Sequence, residues 1–320
     1  MPAPRVLFVK LSSLGDVVHL MPAVTDLAVR HPEVQIGWAV EDAYLPLVTL
    51  HAALALGVPV PLRALRKDPF SATKWRHLRD ARRAMRVFGP DLAIDAQGLL
   101  KSAFVARMSG ARRVAGLGFG SARENAAALF YGARHDVPRA MHAVERNRML
   151  VAKIFGYPVQ GRARYGLAQP ATPPLWAPRG AYAVLLHAAS RADKQWDEAQ
   201  WIALGQRLAA DGYSTVFPGG SDAERLAAAR LAMMVPNAMA APPMDLAACA
   251  ALISHASLVA GVDTGLTHLA VAYERRTVGI YTATRPELTG LHGEGAVNLG
   301  GPGAAPSVEA VIRALGVGSP

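Results

Sequence analysis

Short apolar runs alternate along the chain with longer stretches whose apolar residues recur at helical spacing. Uninterrupted apolar runs mark strands buried on both faces, as in parallel sheets. In the first half they predict strands over Arg5–Leu11, Val34–Val40 and Asp91–Asp95, with a short one in the proline-spaced VPVPL of 58–62. Helical spacing covers Gly15–Arg30, Asp42–Val48, Lys74–Val87 and Ala140–Phe155, and Ala122–Phe130 reads as helix-like. Gln169–Arg179 then places four prolines in eleven residues, which neither regular element tolerates. Beyond it the alternation restarts, with strands over Tyr182–His187, Tyr213–Phe217, Ser257–Val262 and Thr277–Tyr281. Helices are predicted over Asp197–Ala210, Asp222–Met234, Asp245–Ser254, Thr264–Tyr273 and Ser307–Leu315. Two strand–helix series around a Pro-rich hinge predict an α/β protein of two doubly wound, Rossmann-like domains, residues 1–168 and 181–320. A linker at 169–180 joins them, and they are expected to face each other across a cleft.

In open α/β sheets, ligands bind where strands end and helices begin. The clearest such junction is Ser257–Ala272, where a strand runs through Asp263-Thr264-Gly265 into a helix. A helix start presents free N–H groups and the positive end of its dipole, which suits phosphate. Gly265 admits a ligand close to the backbone, Thr264 offers a hydroxyl, and His268 lies one turn on, along the side of Thr264. These features fit a diphosphate cradle, and equally a plain helix start capped by Asp263 or Thr264.

KLSSLGDVVH, residues 10–19, is the matching junction of the first half. Asp16 there is placed as a general base or as a simple capping carboxylate. As a base it would be weakened by the helix start, which favours its ionised form. LLHAASRADKQW, 185–196, supplies Ser190 and Lys194, and the lysine is a candidate to neutralise a departing diphosphate. In FPGGSDAER, 217–225, Asp222 or Glu224 can accept sugar hydroxyls, while Asp222 serves equally as a helix cap.

Charge sharpens the picture. Residues 1–165 carry 24 Lys and Arg against 12 Asp and Glu, whereas 166–320 carry 10 against 12. Arg63–Arg86 alone holds nine cations against Asp68 and Asp80, more than solubility asks of a helix face. An anionic partner is implied: a multiply charged substrate, an acidic membrane surface or nucleic acid. Nucleic acid is disfavoured, because no RNA-binding module or stacking set of aromatics accompanies the charge. The ten histidines are scattered, no HxxxH or CxxC spacing occurs, and Asp16, Asp95 and Asp263 stand on separate turns. No metal or other cofactor is therefore expected. Neither GxxxxGK[ST] nor GxSxG is present, and GLGFGS at 116–121 lacks the dinucleotide spacing. The single Cys249 lies in an apolar helical run and reads as core, consistent with a reducing, cytoplasmic setting. The uncharged run Leu246–Val262 is broken by Ser254, His255 and Ser257, and divides more naturally into a helix and a strand than into a membrane span.

Taken together, VKLSSLGDVVH (9–19), WAVE (38–41), IDAQGLLKSA (94–103), SAREN and ALFY (121–131), HAVERNRML (142–150), LLHAASRADKQW and VDTGLTHLA (262–270) resemble the lipopolysaccharide heptosyltransferase family almost end to end. These are inverting glycosyltransferases that use an ADP-sugar. DAQGLLKSA and HAVERNR point to members that add the first heptose of the inner core rather than the second. The resemblance implies a GT-B fold, ADP-L-glycero-D-manno-heptose as donor and Kdo2-lipid A as acceptor. Peripheral attachment to the anionic cytoplasmic face of the inner membrane is expected through the basic loop and helix of Arg63–Arg86, with Phe70 and Trp75 at the interface, and a monomer is expected. By motif position, Asp16 would be the base, with Ser13 beside it; Lys10, Ser13 and Gln97 would contact the acceptor, and Lys194 would hold the diphosphate. Ser190, Thr264 and Gly265 would add hydrogen bonds to the donor. Asp263 and His268 would meet its heptose, and Asp222 or Glu224 with Met244 its nucleoside. Arg63, Arg66, Lys67, Arg123, His142 and Arg146 would face the acceptor's carboxylates and phosphates. Two departures from relatives are Ala189-Ser190 where two threonines are frequent, and a short turn at Gly219–Asp222.

Overall fold

The computed structural model describes residues 3–189 and 191–317. The chain divides into two units, Met1–Ala168 and Gln169–Pro320. In the first, β1 (Arg5–Val9), β2 (Gln35–Val40), β3 (Leu54–Pro59), β4 (Leu92–Asp95), β5 (Arg113–Leu117) and β6 (Ala133–His135) form one sheet in the order β3-β2-β1-β4-β5-β6. In the second, β7 (Tyr182–Leu186), β8 (Ser214–Phe217), β9 (Ala238–Ala240), β10 (Leu258–Val262), β11 (Arg276–Tyr281) and β12 (Ala296–Gly300) lie in the order β12-β11-β10-β7-β8-β9. All strand pairings are parallel. Counted from its own first strand, each sheet has the same order: the chain winds outward on one side, returns to the centre and winds outward on the other. The reversal falls between β1 and β4 in one unit and between β7 and β10 in the other, so both are doubly wound sheets.

The central strands are apolar because helices cover both of their faces. Leu7, Val9, Ala93, Val114 and Tyr131 belong to the first core, and Leu185, Trp201, Phe217, Ala260 and Ile280 to the second. Part of HAVERNR is structural. Asn147 donates to the His19 carbonyl (2.9 Å), and the buried Arg148 pairs with Asp26 (2.7 Å) and Glu145 (3.0 Å) while donating to the Gln160 and Gly161 carbonyls. These contacts pin helix Ala143–Phe155 to helix Leu14–Arg30. A buried guanidinium is tolerable only when its donors are engaged in this way.

The apolar pattern does not reveal the edge strands β6, β9 and β12. β6 and β9 have three residues each, and β12 is mostly half-buried. β3 starts at Leu54, ahead of the VPVPL run, and Pro61 ends the ladder before helix Leu62–Lys67. Ala122–Phe130 is not a regular helix, for only Asn125–Phe130 winds, as a 3-10 turn. Glu124 is drawn instead to the β4 loop, its N–H donating to the Gly98 carbonyl (2.9 Å) and its carboxylate accepting from the Leu100 N–H (2.6 Å). The proline segment after residue 168 carries no helix or strand before β7, and its start is tied to the second unit by Gln169 donating to the Ser254 carbonyl (3.0 Å). Among the described residues, no helix is long and apolar enough to cross a membrane.

Candidate active site

The reversal of strand order leaves the carboxyl ends of β1 and β4 uncovered, and the first group of chemistry-bearing side chains collects there. Asp95, the last residue of β4, has no exposure. It accepts from the Gln97 N–H (2.8 Å), the Gly98 N–H (3.1 Å), the Ser102 hydroxyl (2.8 Å) and the Tyr131 hydroxyl (2.7 Å). Burial pushes its pKa up against these four donors. Gly116 on β5 makes room for Tyr131, since a Cβ there would lie 2.5 Å from the ring. Gln97 is buried below the loop. Its carbonyl oxygen accepts from the Leu11 N–H (2.7 Å) and its amide donates to the Ser12 carbonyl (2.9 Å), so its place is as a brace. Lys10 is buried too and donates to the Ala96 carbonyl (2.9 Å).

On this braced loop Asp16 occupies the first turn of helix Leu14–Arg30 and reaches back to the Ser13 N–H (3.0 Å) and hydroxyl (3.4 Å). Arg123 donates to the same oxygen, Oδ2, at 3.3 Å. Burial alone would raise the Asp16 pKa, but Lys10, Arg123 and Ser13 outweigh it and hold the carboxyl below its ordinary value. The capping contact and the Arg123 contact both fall on Oδ2. Gly98, with φ +69°, lets the Arg123 backbone approach the β4 turn. Beside this edge lies a cavity of about 490 Å³ lined by Ser12, Ser13, Glu41, Arg63, Arg66, Lys67 and Lys101, among others. Three of the expected acceptor-side cations thus line one pocket. Arg146 donates to the Ser121 carbonyl (2.8 Å), and His142 caps helix Ala143–Phe155 by accepting from the Val144 N–H (3.2 Å).

The second group sits at the corresponding edge of β7 and β10. Asp263, immediately after β10, accepts from Lys194 (2.6 Å) and from the Thr284 hydroxyl (2.7 Å), and the His268 ring lies 3.9 Å from its other oxygen. Burial raises its pKa, yet the His268 ring, the Lys194 ammonium and the Thr284 hydroxyl hold it well below the usual carboxylate range. Asp263 is therefore an ion-pair partner. Thr264 takes the N-cap position of helix Gly265–Ala272, and its side chain makes no capping bond. The hydroxyl and the first-turn N–H groups remain at the strand edge. Lys194 is set by a single turn, Ala192–Lys194, whose Asp193 carbonyl accepts from the Thr282 hydroxyl (2.7 Å). Trp196 anchors the end of that loop, edge-on to Trp201 at 5.0 Å.

A cavity of about 250 Å³ opens beside Thr264, lined by Leu186, Ala188, Gly219, Gly220, Glu224, Met244, Cys249 and Leu266, with Pro218. Glu224 lines it and accepts from the Gly220 (2.8 Å) and Ser221 (3.0 Å) N–H groups. Asp222 does not line it; its side chain is fully exposed and paired with Arg225. Cys249 was expected in the core but is only half-buried on this wall, and burial with Asp245 pushes its thiol up to about 11, so it stays protonated at neutral pH. The expected contact of Ser190 lies outside the described residues.

A model of glycosyltransferase family 9 (heptosyltransferase) matches residues 78–313. The chain belongs to this family. It is 40% identical over 304 residues to lipopolysaccharide heptosyltransferase 1 of Pseudomonas aeruginosa, covering 92% of this chain and 83% of that protein. The solved structure of E. coli heptosyltransferase WaaC with ADP is similar with a TM-score of 0.89 at 36% identity, over 97% of this chain and 98% of that one. WaaC with ADP-2-deoxy-2-fluoro heptose gives 0.88 at 36%, over 98% and 100%. The two doubly wound units of this family 9 glycosyltransferase are thus those of the GT-B fold.

Sequence reasoning passed over Glu41, Lys101 and Thr284. Each follows or ends a strand at the carboxyl edge or opens the next helix, which is the signal that would have found them. The pairing at Asp263 carries a pH signature. A carboxylate whose folded pKa is depressed contributes stability above its unfolded pKa and loses it as pH falls toward the folded value. Compared by urea unfolding, Asp263→Asn should be less stable than the parent at pH 7 by on the order of 3 kcal/mol. The gap should shrink steadily below about pH 4. A gap unchanged down to pH 3 would contradict the pairing.

Proposed function

We propose that this glycosyltransferase moves L-glycero-D-manno-heptose from ADP-heptose to a Kdo hydroxyl of Kdo2-lipid A, with inversion and without a metal, adding the first heptose of the lipopolysaccharide inner core. The observation that carries the reading is the 40% identity over 304 residues to a protein named lipopolysaccharide heptosyltransferase 1. The acceptor oxygen bonds to the anomeric carbon as the carbon–oxygen bond to the diphosphate breaks. The hydroxyl proton passes to Asp16, and ADP departs with the bonding pair. A depressed pKa makes Asp16 a weak base, but an oxocarbenium-like transition state asks for proton removal only late. Oδ1 is the oxygen available for that proton. On the donor side, an ammonium has three N–H donors, so Lys194 can keep Asp263 and still meet phosphate oxygens. The helix start at Thr264 and Gly265 adds N–H groups toward the same charge. Met244 and Leu266 receive the nucleobase, and Glu224 rather than Asp222 meets the ribose. His268 and Asp263 lie toward the heptose. Arg63, Arg66 and Lys67, with Arg123, His142 and Arg146, take the acceptor's carboxylates and phosphates.

We also read the basic region as a peripheral attachment to the cytoplasmic face of the inner membrane. Helix Ala72–Phe88 carries Arg79, Arg82, Arg83 and Arg86 around a shallow groove, with Phe70 94% and Trp75 50% exposed nearby. Guanidinium groups attract anionic headgroups, and exposed aromatics suit the interface.

With ADP-heptose and Kdo2-lipid A supplied, Asp16→Ala should lose turnover by about 100-fold or more while ADP affinity, measured by calorimetry, stays near that of the parent. Persisting turnover would remove Asp16 as the base. Lys194→Ala should weaken ADP binding and slow turnover together, by about 100-fold in kcat/KM; an unchanged rate would exclude Lys194 from the leaving group. Cosedimentation with phosphatidylglycerol vesicles should be lost between low salt and roughly 0.5 M salt. Retention at high salt would contradict an electrostatic attachment.

A further inference from the structure

The helix that carries Arg63, Arg66 and Lys67 has only the residues Leu62–Lys67, and its N-cap is Pro61, which provides no side-chain cap. So short a helix has little stability of its own, and its free N–H groups need an acceptor. That acceptor comes from another element. Glu41, the residue after β2, is 5% exposed, and both of its carboxylate oxygens lie 3.1 Å from the Arg63 backbone nitrogen and accept from it. Its own backbone ties it to the loop that carries the cavity residues Ser12 and Ser13, for the Glu41 N–H donates to the Leu11 carbonyl (3.1 Å) and Leu11 leads into Ser12, Ser13 and then Asp16. Leu11 and Ser12 are held in turn by Gln97. Glu41 is thus the one residue in this chain of hydrogen bonds that touches both the loop bearing the base and the helix bearing the cations. Burial pushes its pKa up, against the Arg63 N–H and the nearby Lys101. A buried carboxylate in a pocket for an anionic substrate is otherwise unfavourable, since it repels what the pocket is to hold.

We propose that Glu41 is a positioning residue for the acceptor: it sets the distance between the Arg63–Lys67 helix and Asp16, and acts through its bond to the Arg63 N–H rather than through its charge. The inference rests on the acceptor reading of this cavity. Its consequence is an inverted order of conservative substitutions. Glu41→Gln loses the charge but keeps an oxygen at the same reach, whereas Glu41→Asp keeps the charge and falls one methylene short of the Arg63 N–H.

The test measures steady-state kinetics of the full chain with ADP-heptose and Kdo2-lipid A, with ADP affinity as a check on the second unit. Glu41→Asp should raise the acceptor KM by about tenfold or more with donor KM and ADP affinity unchanged, whereas Glu41→Gln should stay within about threefold of the parent. Glu41→Ala should resemble Glu41→Asp if it folds; the Asp and Gln pair decides the matter if it does not. Three results would overturn the proposal: an unchanged acceptor KM in Glu41→Asp, an equal rise in donor KM, or a Glu41→Gln enzyme impaired more than Glu41→Asp. The last would mean that the charge itself is what matters. Parent enzyme that does not turn over Kdo2-lipid A would instead contradict the acceptor reading and is distinguishable from all three.

Discussion

Parallel strands cannot be joined by hairpins, so every connection in these two sheets crosses over through a covering segment. Where the winding changes direction, adjacent strands send their chains to opposite faces and their carboxyl ends stay bare. Asp16 and Asp95 stand at one such edge and Asp263 at the other. Asp95 ends the fourth strand of the first unit and Asp263 follows the fourth strand of the second, so the two are topological equivalents. Their surroundings set them apart. Asp95 has no exposure and accepts only from neutral donors, and burial raises its pKa; it holds the β4 loop together. Asp263 faces Lys194, Thr284 and His268 and is depressed. The same position in the fold is structural in one unit and electrostatic in the other because of what neighbouring loops bring to it.

The depressed carboxylates at these two strand edges, Asp16 and Asp263, are tuned in different ways. Asp16 lies at a helix start, where the backbone N–H of Ser13 and the cations Lys10 and Arg123 favour its charge. Asp263 relies instead on side-chain partners, His268, Lys194 and Thr284. The cost to Asp16 is basicity, and an excess of positive charge in the first unit is the reason. The Arg and Lys residues that would suit the proposed anionic acceptor also stabilise the carboxylate proposed to take its proton.

Much of this was legible in the sequence because the central strands are unbroken apolar runs, and because a strand running into a helix through Gly or Ser marks a ligand edge wherever it occurs. What escaped reading depended on partners distant along the chain. Whether Asp263 or Thr264 capped the helix could not be decided locally, since the answer lies in Lys194 and Thr284, 69 and 21 residues away. Asp222 and Glu224 are equivalent as acidic residues in a first helical turn; only the fold turns one toward the cavity and the other to solvent. Glu41 was visible only as the last letter of WAVE, with no sign of the Arg63 N–H it meets 22 residues later. The edge strands β6, β9 and β12 lack the length or the burial to leave a hydrophobic signature.

The proposed first-heptose transfer depends on which acceptor the protein takes. The most direct measurement is ADP release from ADP-heptose by the purified protein with Kdo2-lipid A, set against the same acceptor already carrying one heptose. Release with the heptose-free acceptor alone is the predicted result. Release with the heptosylated acceptor alone would contradict the first-heptose assignment and move the enzyme to a later transfer within the same family.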